Sequence, residues 1–408
     1  MYTPTALSIS AARQAILDAL SPVPESEAVA IDAGLGRVLH GDVIAPFDVP
    51  AHDNSAMDGY ALRAADVAAG TGNRLAVIGT ALAGRLFTGV VGPGQAVRIM
   101  TGAVVPRGAD TIVAQERTRA DGDAVVVPAD VRVGQNVRRA GEDLARGQPV
   151  LPAGKRLGPA DLGLLASLGL AAIAVRRRLR VAFLSTGDEI ATAGQTLAPG
   201  QIYDSNRHTL HAMLMRLGVE TIDLGVVGDD PALLEQAFRA AARQADVVLS
   251  SGGVSVGEAD FVKSLMARLG QVHFWRIDIK PGRPLAFGRI GDAWLFGLPG
   301  NPAAVMVTFY QIVLDALLKL AGVSPLPLRP TFRVPCADAI AKSPGRREFP
   351  RGQLFAADGG PRVRLAGNQG SGILSSMANA NCFIVLPEDR GDVAAGELVD
   401  VQPFEGLI

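Results

Sequence analysis

Val247-Val248-Leu249-Ser250-Ser251-Gly252-Gly253-Val254-Ser255-Val256-Gly257-Glu258-Ala259-Asp260 is an apolar run that passes through a glycine-rich loop into a helical segment. A strand feeding a helix in this way is the unit of a parallel α/β sheet. It is also an anion cradle: glycines let backbone N–H groups turn toward one point, and the helix adds its positive end. Glu258 and Asp260 would repel a phosphate unless a divalent cation lay between them. Asp260 has a second reading as the N-cap of a helix over 261–269.

The same pattern continues on both sides. From 179 to 322, β-branched runs alternate with helical periodicity, which predicts strands at 179–185, 220–227, 246–251, 272–277, 284–289 and 293–298. A helix over 206–217 puts Leu210, Met213, Leu214 and Leu217 on one face, and another over 231–244 starts with Asp230 as cap and Pro231 at its first position. A third opens at Asn301-Pro302, runs through Val305, Phe309, Ile312 and Leu317, and stops at Gly322. This is a three-layer α/β core with a mainly parallel sheet.

The flanks differ in texture. Residues 44–150 are rich in Gly, Pro and short valine runs, which predicts a β-rich domain. Residues 151–174 turn helical again; if they pair with 25–43, the β-rich part is an insertion. The apolar stretch 162–175 is too short to span a membrane and contains Gly163 and Gly169, so it reads as a buried helix leading into a strand. A helix capped at Ser8 or Ser10 and running to Leu20 has an apolar stripe that must dock. Prolines in 323–330 mark a boundary, and the short β-rich runs beyond it suit a small C-terminal β-barrel.

At 408 residues the chain should form several domains. A net charge of −1 with interspersed signs gives no field for nucleic acid or an anionic membrane, so neither is an expected partner. Two distant cysteines, Cys336 and Cys382, give no zinc spacing; with no secretory leader pattern, a cytoplasmic setting is expected.

Four predicted strand ends carry glycines beside polar groups: Thr186-Gly187-Asp188-Glu189, Gly228-Asp229-Asp230-Pro231, 252–260 and Leu298-Pro299-Gly300-Asn301-Pro302. Such loops converge on one crevice of a doubly wound sheet. There Glu189, Asp229 or Asp230, and Asp260 would suit Mg²⁺ bridged to a phosphate, although Asp188 and Asp230 also read as a turn residue and an N-cap. Lys280-Pro281-Gly282-Arg283-Pro284 presents two cations on a stiff extended backbone, with room for an oxyanion between them.

Taken in order along the chain, these segments resemble the MoeA-type molybdopterin molybdenumtransferase family, which includes the E domain of gephyrin. The resemblance rests on Asp53-Asn54-Ser55-Ala56-Met57-Asp58-Gly59-Tyr60-Ala61, Met100-Thr101-Gly102-Ala103, Gly141-Glu142-Asp143, Ser185-Thr186-Gly187-Asp188-Glu189, 250–260, 280–284, 297–302 and Asn368-Gln369-Gly370-Ser371. It implies a homodimer of four-domain subunits: a linker domain (25–43 plus 146–176), an inserted β-rich domain (44–145), an α/β domain (7–24 plus 177–322) and a C-terminal domain (323–408). The active site would lie between the α/β domain of one subunit and the inserted domain of the other. The implied reaction ligates molybdate to an adenylylated molybdopterin, releases AMP and requires Mg²⁺. The adenylyltransferase that makes this substrate and other cofactor-biosynthesis proteins are implied partners.

Carried over by position, the resemblance implies catalytic roles for Asp58, Thr101, Asp143, Glu189, Asp229, Asp260 and Lys280. Ser251, Gly252, Gly253, Ser255, Arg283, Pro299, Pro302, Arg351 and Ser371 would bind substrate, and Glu189 and Asp260 would hold the metal. The chain departs from the family pattern at Arg276 and Arg283, where Lys is common, at Ala304, where Ser is common, and at His52, where Phe is common. Two rival readings share part of the pattern: the adenylyltransferase itself, whose fold resembles 179–322, and a non-enzymatic scaffold. The flanking domains argue against the first, and the retained charged residues against the second.

Overall fold

The computed structural model describes residues 6–67, 73–252, 265 and 268–404. At its centre lie six strands: β1 (Arg180–Thr186), β2 (Glu220–Val227), β3 (Val247–Ser251), β4 (Gly270–Arg276), β5 (Pro284–Ile290) and β6 (Ala293–Leu298). Their spatial order is β2-β1-β3-β6-β5-β4. The first four in that order are mutually parallel; β5 runs antiparallel to β6, and β4 antiparallel to β5. The chain moves from β1 to β2 on one side and then crosses back to β3, so the strand order reverses beside β1. That reversal opens a crevice at the carboxyl ends of β1 and β3.

Period-two alternation divides the core between the two faces of the sheet. Val181 and Phe183 of β1 join Leu249, Phe296 and Leu298 on one face, against α1 (Ser205–Leu217) and the long helix α3 (Pro302–Leu320). Ala182 and Leu184 face the other way, with Val248 and Leu295, against α2 (Pro231–Gln244). The expected buried stripe of α1 is present in Leu210, Met213, Leu214 and Leu217. Asp230 caps α2 by accepting the N–H groups of Ala232 and Leu233. By length and composition α3 could cross a membrane, but it packs as the core helix of this layer and contains a π-helical turn at Phe309–Val313.

Strand β4 starts at Gly270, two residues before its sequence-based position. A Cβ at Gly270 would lie 1.8 Å from the Arg289 carbonyl oxygen, so the glycine is what lets the two strands meet there. The expected helix over 261–269 falls mostly outside the described residues, as do Gly253, Ser255 and Asp260.

Ahead of the core, Ile9–Ala19 is a helix capped by Ser8 that buries Ile9, Ala12 and Ile16 against the α3 face. Ser26–Ala30 pairs antiparallel with Ala172–Arg176, and Val43–Ile44 with Pro149–Leu151. The chain between those pairings holds a six-stranded sheet of its own, built around Gly59–Leu62, Asn73–Ala81 and Gln95–Ile99. After α3, five strands form the C-terminal sheet, whose edge strands are Phe332–Pro335 and Gly360–Leu365. These edges meet at one bridge, Cys336 to Val363, so the sheet is curled and open where a closed barrel was expected.

Candidate active site

A pocket of about 480 Å³ opens where the turn after β6 and the start of α3 face the Lys280–Pro284 turn and the C-terminal sheet. Lys280, Arg283 and Arg346 line it, with Asn301 and Ser371, and no carboxylate is among its lining residues. The Lys280–Pro284 turn is held by packing: Gly282 has φ +102°, and a Cβ there would lie 2.7 Å from Thr308 Oγ1 of α3. Two buried polar atoms here, Thr308 Oγ1 and Arg283 Nε, have no partner in the protein.

The chain beyond α3 reaches the pocket through two short contacts. Ile279–Lys280 pairs in parallel with Arg347–Glu348, placing Lys280 Nζ 3.0 Å from Glu348 Oε2. Ser371 accepts the Ala303 N–H on its carbonyl (3.0 Å) and the Asn301 side-chain N–H on its hydroxyl (2.9 Å). Arg283 lies 3.8 Å from Asp278, so two of the three lining cations have a carboxylate behind them.

Arg351 was expected to touch the anion. It is instead 1 % exposed and sits behind the rim. Its Nη2 donates to the carbonyls of Asn368 (3.3 Å) and Gly370 (2.9 Å), and its Nε donates to Ser376 Oγ (3.0 Å). Burial lowers its guanidinium to about 10. The side chain thus fixes the loop that carries Ser371, because a buried fork can satisfy several loop carbonyls at once.

At the ends of β1 and β3 the loops do converge. Asp188 accepts the Asp229 N–H at 2.9 Å, joining the 186–189 loop to the 228–230 loop. Gly252, with φ +95°, brings its backbone so near β1 that a Cβ would stand 2.7 Å from the Thr186 carbonyl oxygen. Asn206 at the start of α1 donates to Ser251 Oγ (2.8 Å) and to the Gly300 carbonyl (2.7 Å), tying this crevice to the Pro299–Pro302 turn. Thr186 Oγ1, Ser250 Oγ and Asn206 Oδ1 are buried without a partner in the protein. Glu189 and Asp229 are exposed on these loops. Among the described residues, no group of three or more His, Cys, Asp or Glu is placed to hold a metal ion.

Asp58 and Thr101 meet in the inserted domain: the Thr101 N–H and hydroxyl both donate to Asp58 Oδ1 at 2.7 Å. These two donors hold the Asp58 carboxyl below the usual carboxylate range. Asp143 is exposed, and its N–H bonds the Val49 carbonyl. None of the three lines the pocket around Lys280. Arg346 and Glu348 escaped the sequence-based reading. Glu348 sits in a two-residue ribbon too short to leave a period-two pattern, and Arg346 lies just before it.

Three family models match the chain in succession: "MoeA N-terminal region (domain I and II)" over residues 7–169, "Probable molybdopterin binding domain" over 182–319, and "MoeA C-terminal region (domain IV)" over 333–404. A molybdopterin molybdenumtransferase of Haemophilus influenzae is 43 % identical over 404 residues, covering 98 % of this chain and all of that protein. One from Nostoc is 38 % identical over 395 residues, covering 91 % of this chain and 87 % of that protein. Among solved structures, a molybdopterin biosynthesis MoeA protein from Pyrococcus horikoshii superposes with a TM-score of 0.85 at 29 % identity, covering 98 % of this chain and all of that one.

Proposed function

The chain belongs to the MoeA family of molybdopterin molybdenumtransferases, and from that membership we propose how its pocket serves the reaction. It acts in molybdenum-cofactor biosynthesis as a transferase. Molybdate is inserted into an adenylylated molybdopterin and AMP is released. The observation that carries this reading is the pocket lined by Lys280, Arg283 and Arg346 with no lining carboxylate. A tetrahedral dianion would take charge-assisted hydrogen bonds there, which are stronger than neutral ones. Ser371 and Asn301 add neutral polar groups to the lining.

The nucleotide-bearing substrate lies along the crevice at the ends of β1 and β3. There Gly252 allows close approach, and Thr186, Ser250 and Asn206 hold unpaired polar atoms that a ligand would satisfy. Mg²⁺ typically takes one or two carboxylates and shares its remaining positions with phosphate oxygens and water, so the exposed Glu189 suits it without a preformed cage. Glu189 and Asp260 would hold the ion, which would neutralise phosphate charge as AMP leaves. Asp58 and Thr101 complete the site from a second copy of the chain. Held ionised by the two Thr101 donors, Asp58 can accept a hydrogen bond from the substrate at its other oxygen.

The test is AMP release from adenylylated molybdopterin by the purified protein, with and without molybdate. Release that depends on molybdate is expected. Release unaffected by molybdate, or consumption of ATP with formation of pyrophosphate, would overturn the assignment.

A further inference from the structure

Adjacent residues Arg346 and Arg347 line different cavities. Arg346 faces the pocket described above, whereas Arg347 faces a second cavity of about 220 Å³ on the far side of the Ile279–Lys280 ribbon. Its walls come from four parts of the chain: Ile9 and Arg13 from the N-terminal helix, Gln311 from the π turn of α3, Arg329 from the linker, and Arg347 and Phe349 from the C-terminal region. Arginines thus enter from three directions, and no carboxylate is among the lining residues.

The charges around this cavity do not balance. Asp315, 2 % exposed, takes Arg13 Nε and Arg329 Nη2 on the same oxygen, the latter at 2.6 Å. Glu388 takes Arg347 Nε at 3.2 Å and Nη2 at 3.0 Å. Two carboxylates therefore face three guanidinium groups. Arg329 Nη1 donates to Gln311 Oε1 at 2.7 Å, but Arg329 Nε is buried with no partner in the protein. A buried N–H of a cation without an acceptor costs free energy unless something fills the place. The π turn adds a second pointer: it brings Gln311, 5 % exposed, into the arginine network, and such turns recur at functional sites.

We propose that this cavity binds a small organic anion, with a carboxylate or phosphate head among Arg13, Arg329 and Arg347 and an apolar body against Ile9, Phe349 and Val385. Three converging forks suit a planar or tetrahedral oxyanion, and apolar walls favour a ligand with hydrocarbon attached over a bare ion.

Titration calorimetry with phenylphosphonate and with inorganic phosphate tests this on the full-length protein. Phenylphosphonate is expected to bind more tightly than phosphate, and about tenfold more weakly to Arg347→Gln. Ser10→Phe, which puts a ring at the mouth from an exposed position one helical turn from Arg13 and leaves all three arginines in place, should have the same effect and stays informative if Arg347→Gln does not fold. Arg283→Ala, in the other pocket, should leave this binding in place. Equal affinity for the two probes would overturn the organic ligand. Binding that survives Ser10→Phe, or is lost in Arg283→Ala, would overturn the site.

Discussion

Lys280 answers to two anions, the Glu348 carboxylate 3.0 Å away and the oxyanion proposed for its pocket. Removing it leaves Arg283 and Arg346, so Lys280→Ala should still bind the nucleotide substrate while needing more molybdate. The expected rise in the molybdate concentration for half-maximal AMP release is about tenfold or more, as for loss of one charge-assisted hydrogen bond; an unchanged requirement would remove Lys280 from the site. Asp246 shows the opposite arrangement, a carboxylate fully used by the fold. Burial pushes its carboxyl up, but two bonds from Arg177 (2.7 and 2.8 Å) and the Arg180 N–H (2.8 Å) outweigh burial and leave it below its ordinary value. A depressed carboxyl contributes stability above its unfolded pKa and loses it as pH falls through the folded one. Asp246→Asn should therefore lower the denaturant midpoint at pH 7, and the gap from the parent should close as pH drops below about 4. A gap that stays constant with pH would contradict this account.

At the scale of elements, capping and close approach separate fold from site. Asp230 serves α2 alone, so Asp230→Ala should cost about 1 kcal/mol in equilibrium unfolding and leave the molybdate requirement unchanged. Gly252 serves both. With φ +95° and the Thr186 carbonyl oxygen 2.7 Å from where a Cβ would stand, Gly252→Ala should cost about 1–3 kcal/mol and widen the gap between β1 and β3. AMP release should then fall more steeply than stability, measured by unfolding and turnover on the same preparation. The helices were legible because their signals are local: the α1 stripe and the Asp230-Pro231 start both appear in the structure. The π turn in α3 left no such trace, since one extra residue per turn changes packing without changing the apolar character of the run.

For the whole molecule, the pocket depends on domains that are distant in sequence. The C-terminal region supplies Arg346 and Ser371 to the pocket, and Phe349, Met377 and Phe383 to the core around α3. A chain ending after Gly322 should expose that apolar face, bind a hydrophobic dye such as ANS, and lose molybdate-dependent AMP release; a truncated protein with normal activity would show that the sheet is not part of the site. The sequence alone determined the alternation of strands and helices, the caps, the glycine-rich strand ends and the cationic turn, because each depends on residues a few positions apart. It could not determine the pairing of Lys280 with Glu348, the inward turn of Arg351, the open C-terminal sheet or the arginine-lined second cavity. Those depend on which surfaces meet when distant segments pack, and a buried polar side chain takes the partner that the surrounding chain leaves available.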